Sequence, residues 1–144
     1  MNEGRALPHS IEAEEYLLSC AMIDAADVLP RCHEAGVFAG SFYDSRHAII
    51  YDALCYLLSE HAQTGPAFVA EELKGTGRLE AIGGYSFLSQ VSGRMPTTAQ
   101  AGYFIEKVRD FAARREAIRA SFSAIERAHN LTVPAPEIAD MMRK

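Results

Sequence analysis

Apolar residues recur at steps of three and four along most of this chain, the period of helices that bury one face. Leu17, Leu18, Ala21 and Met22 mark such a face on a helix predicted over residues 11–23, with Ser10 as its N-cap. Glu12, Glu14 and Glu15 follow at its electropositive end and read as a solvated helix surface. Asp24 can cap a short segment reaching toward Ala35, where Pro30 must start or kink a helix and Gly36 stops it. Ser41-Phe42-Tyr43-Asp44 reads as a turn. Asp44 or Ser45 then caps a helix running to about Ser59, with Ile50, Ala53, Leu54, Leu57 and Leu58 on its inner face. Thr64-Gly65-Pro66 breaks the chain and restarts it with proline at a first helical position.

Met95-Pro96-Thr97 does the same before the longest helix, predicted over residues 98–129 with Thr97-x-x-Gln100 as a capping box. At about 1.5 Å per residue it would reach about 48 Å, more than a small domain is wide, so it is predicted to project. Phe104, Val108, Phe111, Ile118, Phe122 and Ile125 line one seam of this helix, interrupted by Arg115. Ala101, Ile105 and Ala112 widen its first half, as on a helix docked to a globular core. The narrower second half suits packing against one or two other helices. Arg115 is predicted at the seam's edge, within reach of solvent or a partner carboxylate. Asn130 can stop the helix in the left-handed conformation. Pro134-Ala135-Pro136 then turns the chain, and Ile138, Met141 and Met142 begin a second arm that ends at Lys144, too short to hold itself helical alone. The fold class is all-α. Residues 1–97 form a small globular bundle, and residues 98–144 a protruding long helix with a truncated hairpin, one structural domain overall.

The stretch KGTGRLEAIGGYSF, residues 74–87, holds four glycines and raises the question of a phosphate loop. No Gly-Lys-Ser or Gly-Lys-Thr occurs anywhere, and Glu80 stands where a dinucleotide fingerprint needs its third glycine. Gly77 follows the helical segment 68–74 where a left-handed residue is wanted, and Gly83-Gly84 separates two further apolar segments. These glycines punctuate helices.

The length of 144 residues suffices for one core, and 49% hydrophobic with 23% charged residues is a globular composition. Neither a membrane-length apolar run nor a secretory apolar segment is visible, and Cys20, Cys32 and Cys55 lack metal or disulfide spacing. They are expected to be reduced core thiols of a cytoplasmic protein. The net charge of −5 is uneven: residues 1–97 carry 6 Lys and Arg against 13 Asp and Glu, whereas residues 98–130 carry 6 against 4. That disfavours a nucleic-acid surface on the first part. Lys107, Arg109, Arg114, Arg115 and Arg119 read as the solvated face of the long helix, interleaved with acidic residues. His47, Cys32-His33 and Cys55 lack the companions that a base, a zinc site or a nucleophile pair requires. His47 is expected to be partly buried and hydrogen-bonded to a turn. No catalytic, cofactor or metal site is expected.

Four stretches, taken in order, carry a resemblance: LPHSIEAEEYLLSC, SFYDSRHAIIYDAL, LKGTGRLEAIGGYSFL and MPTTAQAGYFIEKVRDFAARREAI, spanning about residues 7–129. With them the chain resembles the N-terminal domain of DnaB-type replicative DNA helicases. Ser19, where the family often has glycine, Pro30 and residues 92–94 depart from its pattern. The resemblance implies a helical bundle with a protruding hairpin that pairs between subunits, giving homodimers and a hexamer collar that contacts primase or a helicase loader. DNA would be met only indirectly. ATP and magnesium would belong to a separate motor domain of a full-length parent, since this chain has no Walker motif. The interface residues so implied are Arg115, Ile118, Arg119, Phe122 and Ile125. A stand-alone primosome adaptor or regulator of the same fold is the alternative.

Overall fold

The computed structural model describes residues 6–143 and is all-helical. Among the described residues the order is α1 (Ile11–Ile23), α2 (Ala25–Glu34), α3 (Ser45–Ser59), α4 (Pro66–Gly75), α5 (Gly84–Ser92), α6 (Ala101–His129) and α7 (Ala135–Met142). Single 3-10 turns lie at Ala39–Ser41 and Glu80–Ile82. Ser10 caps α1 by accepting the Ala13 N–H at 3.1 Å, and Asp24 caps α2 by accepting the Asp27 N–H at 3.2 Å. Pro30 sits inside α2.

Glycines close the helices as their spacing predicts. Gly36 (φ 81°) and Gly77 (φ 73°) take the left-handed conformation behind α2 and α4. After α4 the Arg78 N–H bonds back to the Leu73 carbonyl and the Gly77 N–H to that of Lys74. This paired closure satisfies carbonyls that a helix end otherwise leaves open. α3 ends in the same way without glycine: His61 adopts φ 56°, and Ala62 bonds back to Leu57.

The body is built around α1. That helix packs against α2, α3, α5 and α6, while α4 closes the far side on α3 and α5. Leu17, Leu18, Cys20, Ile50, Leu54, Leu73, Leu88 and Val91 are fully buried between them. The central position of α1 means that its polar side is covered as well. Ser19 donates to the Ser92 carbonyl at 2.8 Å and accepts the Met95 N–H at 3.0 Å, so its hydroxyl ties α1 to the chain leaving α5. Glu14 and Glu15, expected on a solvated surface, are buried for the same reason.

Three local expectations are corrected. α6 begins at Ala101 and not at Thr98, because Thr97 Oγ1 accepts the Ala99 N–H and holds a separate turn instead of a capping box. Asn130 is extended (φ −90°, ψ 102°) and not left-handed, since its side chain accepts the Thr132 N–H in a local turn. Cys55 is exposed and not in the core: α3 turns Ala53, Leu54 and Leu57 inward and Cys55 out, while Cys20 and Cys32 are buried.

Candidate functional site

The 29 residues of α6 extend about 43 Å, and the two halves meet different surroundings. Ala101, Phe104, Ile105 and Val108 are buried against the body. Past Phe111 and Ala112, both half-buried, most positions of the helix other than Arg115 are exposed, and α7 packs along it. α7 docks on the small-residue face of α6, where Ala113, Ala117, Ala120 and Ser121 form a notch with Met141 and Met142, and Ala124 is buried. At about 100° per residue, Ile118, Phe122 and Ile125 point roughly 120° away from the middle of that face. Together with Ala117 and Ser121, which also border the notch, they line a shallow apolar surface. Ile125 is 51% exposed, and Ile118 and Phe122 are half-buried. Arg119 is exposed beside them.

Arg115 departs from its expected place. Its side chain is buried and does not face solvent or a partner carboxylate. Nη1 donates to the Pro8 carbonyl at 3.0 Å and Nη2 to the Ser41 carbonyl at 2.7 Å. Desolvation lowers the guanidinium's pKa from its ordinary value, and the Glu14 carboxylate opposes that shift.

Glu14 stands at the centre of a buried polar cluster. Its Oε2 accepts the Tyr43 N–H at 2.7 Å, and its Oε1 accepts the Asp44 N–H at 3.3 Å and His47 Nδ1 at 2.7 Å. The carboxylate thus holds the turn before α3 against α1. Buried charge is tolerable only when hydrogen-bonded in this way. His47 is wholly buried, and its Nε2 has no hydrogen-bond partner, standing 3.6 Å from Glu15 Oε2 and 3.9 Å from Asp44 Oδ2. Its expected partner was a turn; the partner is the Glu14 side chain. Arg94 pairs with Glu15 at 3.2 Å, and Arg46 pairs with Asp44 at 2.8 Å while lying over the Phe87 ring at 4.0 Å. The Arg46 hydrogen bond holds the Asp44 carboxyl below the usual carboxylate range, against the opposing effect of burial.

This cluster shows the form of a scaffold. Each carboxylate is neutralised by a cation or occupied by backbone donors. Among the described residues no group of three or more His, Cys, Asp or Glu has an arrangement that could hold a metal ion. Burial pushes the Cys32 thiol up to about 12. The basic stretch of α6 is partly spent within the chain: Arg109 pairs with Glu106 at 2.9 Å and Arg114 with Asp110 at 2.8 Å. No helix among the described residues is long and apolar enough to cross a membrane.

Sequence reading missed the Glu14–His47 pair, which is 33 residues apart, and the Arg115 carbonyl contacts, which are 107 and 74 residues apart. The only signal for the first was that Glu14, Glu15 and His47 all fall inside the quoted resemblance stretches.

The family model described as the DnaB-like helicase N terminal domain matches residues 6–110. The replicative DNA helicase DnaB of Geobacillus stearothermophilus is 30% identical over 119 residues, which are 83% of this chain and 26% of that protein. Its counterpart in Rhodothermus marinus is 29% identical over 137 residues, 95% of this chain and 14% of that protein. The chain therefore spans about a quarter or less of these relatives. The crystal structure of the N-terminal domain of DnaB helicase from Mycobacterium tuberculosis superposes with a TM-score of 0.85 at 27% identity, covering 96% of each chain. The buried Glu14–His47 scaffold, the helix-closing glycines and the projecting α6–α7 hairpin all fall within that superposition or the family match, and the chain belongs to the family of DnaB-like helicase N-terminal domains.

Proposed function

We propose that this chain is the assembly domain of a replicative DNA helicase, in which the distal α6–α7 hairpin pairs with that of a second copy. Such pairs would build the collar of a hexamer. One observation carries the reading: Ile118, Phe122 and Ile125 form an apolar surface on a projecting helix whose other face α7 already occupies. Fully burying each of these side chains is worth about 1.5–3 kcal/mol. A two-fold arrangement covers the same surface on both copies at once. Arg119 flanks the apolar stripe and would meet an acidic group across the dyad. The relatives' name, replicative DNA helicase, supports the same assignment.

Chemistry would reside elsewhere in a full-length parent, in a motor domain that binds ATP and magnesium, and this chain would bind neither. It would reach DNA only through that motor, and the collar would present a surface to primase or a helicase loader. Light scattering across a dilution series tests the central claim. Wild type is expected to pass from dimer to monomer on dilution, and Phe122→Asp to stay monomeric with an unchanged helical spectrum. A wild type that remains monomeric at high concentration, or a folded Phe122→Asp that dimerises equally well, overturns it. Calorimetry with ATP and magnesium should give no saturable heat.

A further inference from the structure

We infer that Arg115 is a latch that fixes the direction in which the hairpin leaves the body. The inference rests on the hairpin being the pairing surface only for its consequence, not for its geometry. The seam runs from Phe111 to Ile118, and a leucine at position 115 would continue it with no charge to desolvate. The chain instead buries a guanidinium there, 2% exposed, where α6 meets the segments before α1 and α3. Apolar packing is non-directional and lets a helix slide or roll. A planar fork with two parallel donors does not.

The receptor for the fork is itself rigid. Pro8 lies before α1 and Ser41 before α3, so one side chain ties α6 to two segments distant in sequence. Between them, the His9 ring stacks on Tyr43 with centroids 3.8 Å apart. The Tyr43 backbone is in turn held by Glu14 at 2.7 Å. A continuous set of hydrogen bonds and stacked rings thus runs from the buried Glu14 to the root of the hairpin. A small change of tilt at this root is magnified along the turns of α6 that follow it. The acceptors are neutral carbonyls, which fix position without the countercharge that a carboxylate would add.

The test uses an intrachain distance. A spin label on the exposed Cys55 of α3 and a second on Ala128→Cys near the end of α6 report hairpin direction by pulsed dipolar spectroscopy. An excess of unlabelled chain removes pairs between copies. Wild type should give one narrow distance. Arg115→Met should make it roughly twice as broad, as expected when a rigid attachment becomes a hinge. Arg115→Lys, which keeps the charge but has no planar fork, should fall between. Loss of packing alone would lower the melting temperature and leave the width unchanged. If Arg115→Met does not fold, Arg115→Lys and a chain beginning at His9, which lacks the Pro8 carbonyl, decide the matter. A folded variant set with the wild-type distance and width overturns the latch. Where wild type dimerises, loss of the preset direction should also raise the dimer Kd about tenfold. A wild type that never dimerises defeats the pairing proposal while leaving the distance result standing.

Discussion

The two halves of α6 share one sequence period but not one environment. From Ala101 to Val108 the apolar stripe disappears into the body, and Phe104, Ile105 and Val108 are buried. From Ile118 to Ile125 a similar stripe is half-buried or exposed, and Ala124 alone is buried, on another face of the helix. Spacing of apolar residues therefore says that a helix has a face to cover; it does not say what covers it. The body, moreover, holds its shape with buried charge as well as apolar packing, while the exposed ion pairs of the outer helix, such as Arg114–Asp110, add little.

Breaking this contrast should have its largest effect at Glu14. Glu14→Ala strands the Tyr43 and Asp44 N–H groups and His47 inside the body, and removing one member of such a cluster costs about 3–5 kcal/mol. Urea unfolding should show the midpoint falling sharply. Leu17→Ala, in the wholly apolar part of the same helix, should cost about 3 kcal/mol through lost transfer energy and a cavity. If Glu14→Ala were the milder of the two, the polar cluster would be an accessory to the body and not its frame.

A further effect is confined to alkaline pH. Burial raises the Cys32 thiol from 9.0 to about 12, so the folded state retains a proton that the unfolded chain gives up. The resulting stabilisation is complete below the unfolded value and is lost as pH rises through the folded one, with a slope of up to about 1.4 kcal/mol per pH unit. Denaturant titrations of wild type and Cys32→Ala should diverge over that window, wild type falling faster. The smallest change in monomer stability belongs to the outer half of α6. Phe122→Asp should shift the monomer's unfolding free energy by about 1 kcal/mol at most, since the side chain is already partly in water, whatever it does to association. A loss of several kcal/mol at Phe122 would show that the hairpin supports the body.

Much of the local structure was legible because its causes lie within a few residues. Ser10, Asp24 and Asp44 cap helices through their own side chains at short range. Gly77 and Gly83 end helical turns by adopting a backbone conformation that side chains disfavour. His61 does the same job without glycine and was not legible, since histidine only sometimes accepts that conformation. At Thr97 and Asn130 two local motifs competed, and a short side-chain turn to the Ala99 and Thr132 N–H groups prevailed.

Sequence alone determined an all-helical chain, nearly every helix and its closure, and a long helix with a seam broken at Arg115. Those follow from propensity, capping and period, which act within one or two turns. Only the tertiary structure decided that α1 is central and buries Glu14 and Glu15, that His47 belongs to Glu14, and that Arg115 seizes the Pro8 and Ser41 carbonyls. A buried charge can be stable only beside partners that folding brings together, and for these residues the partners lie 33, 107 and 74 positions away.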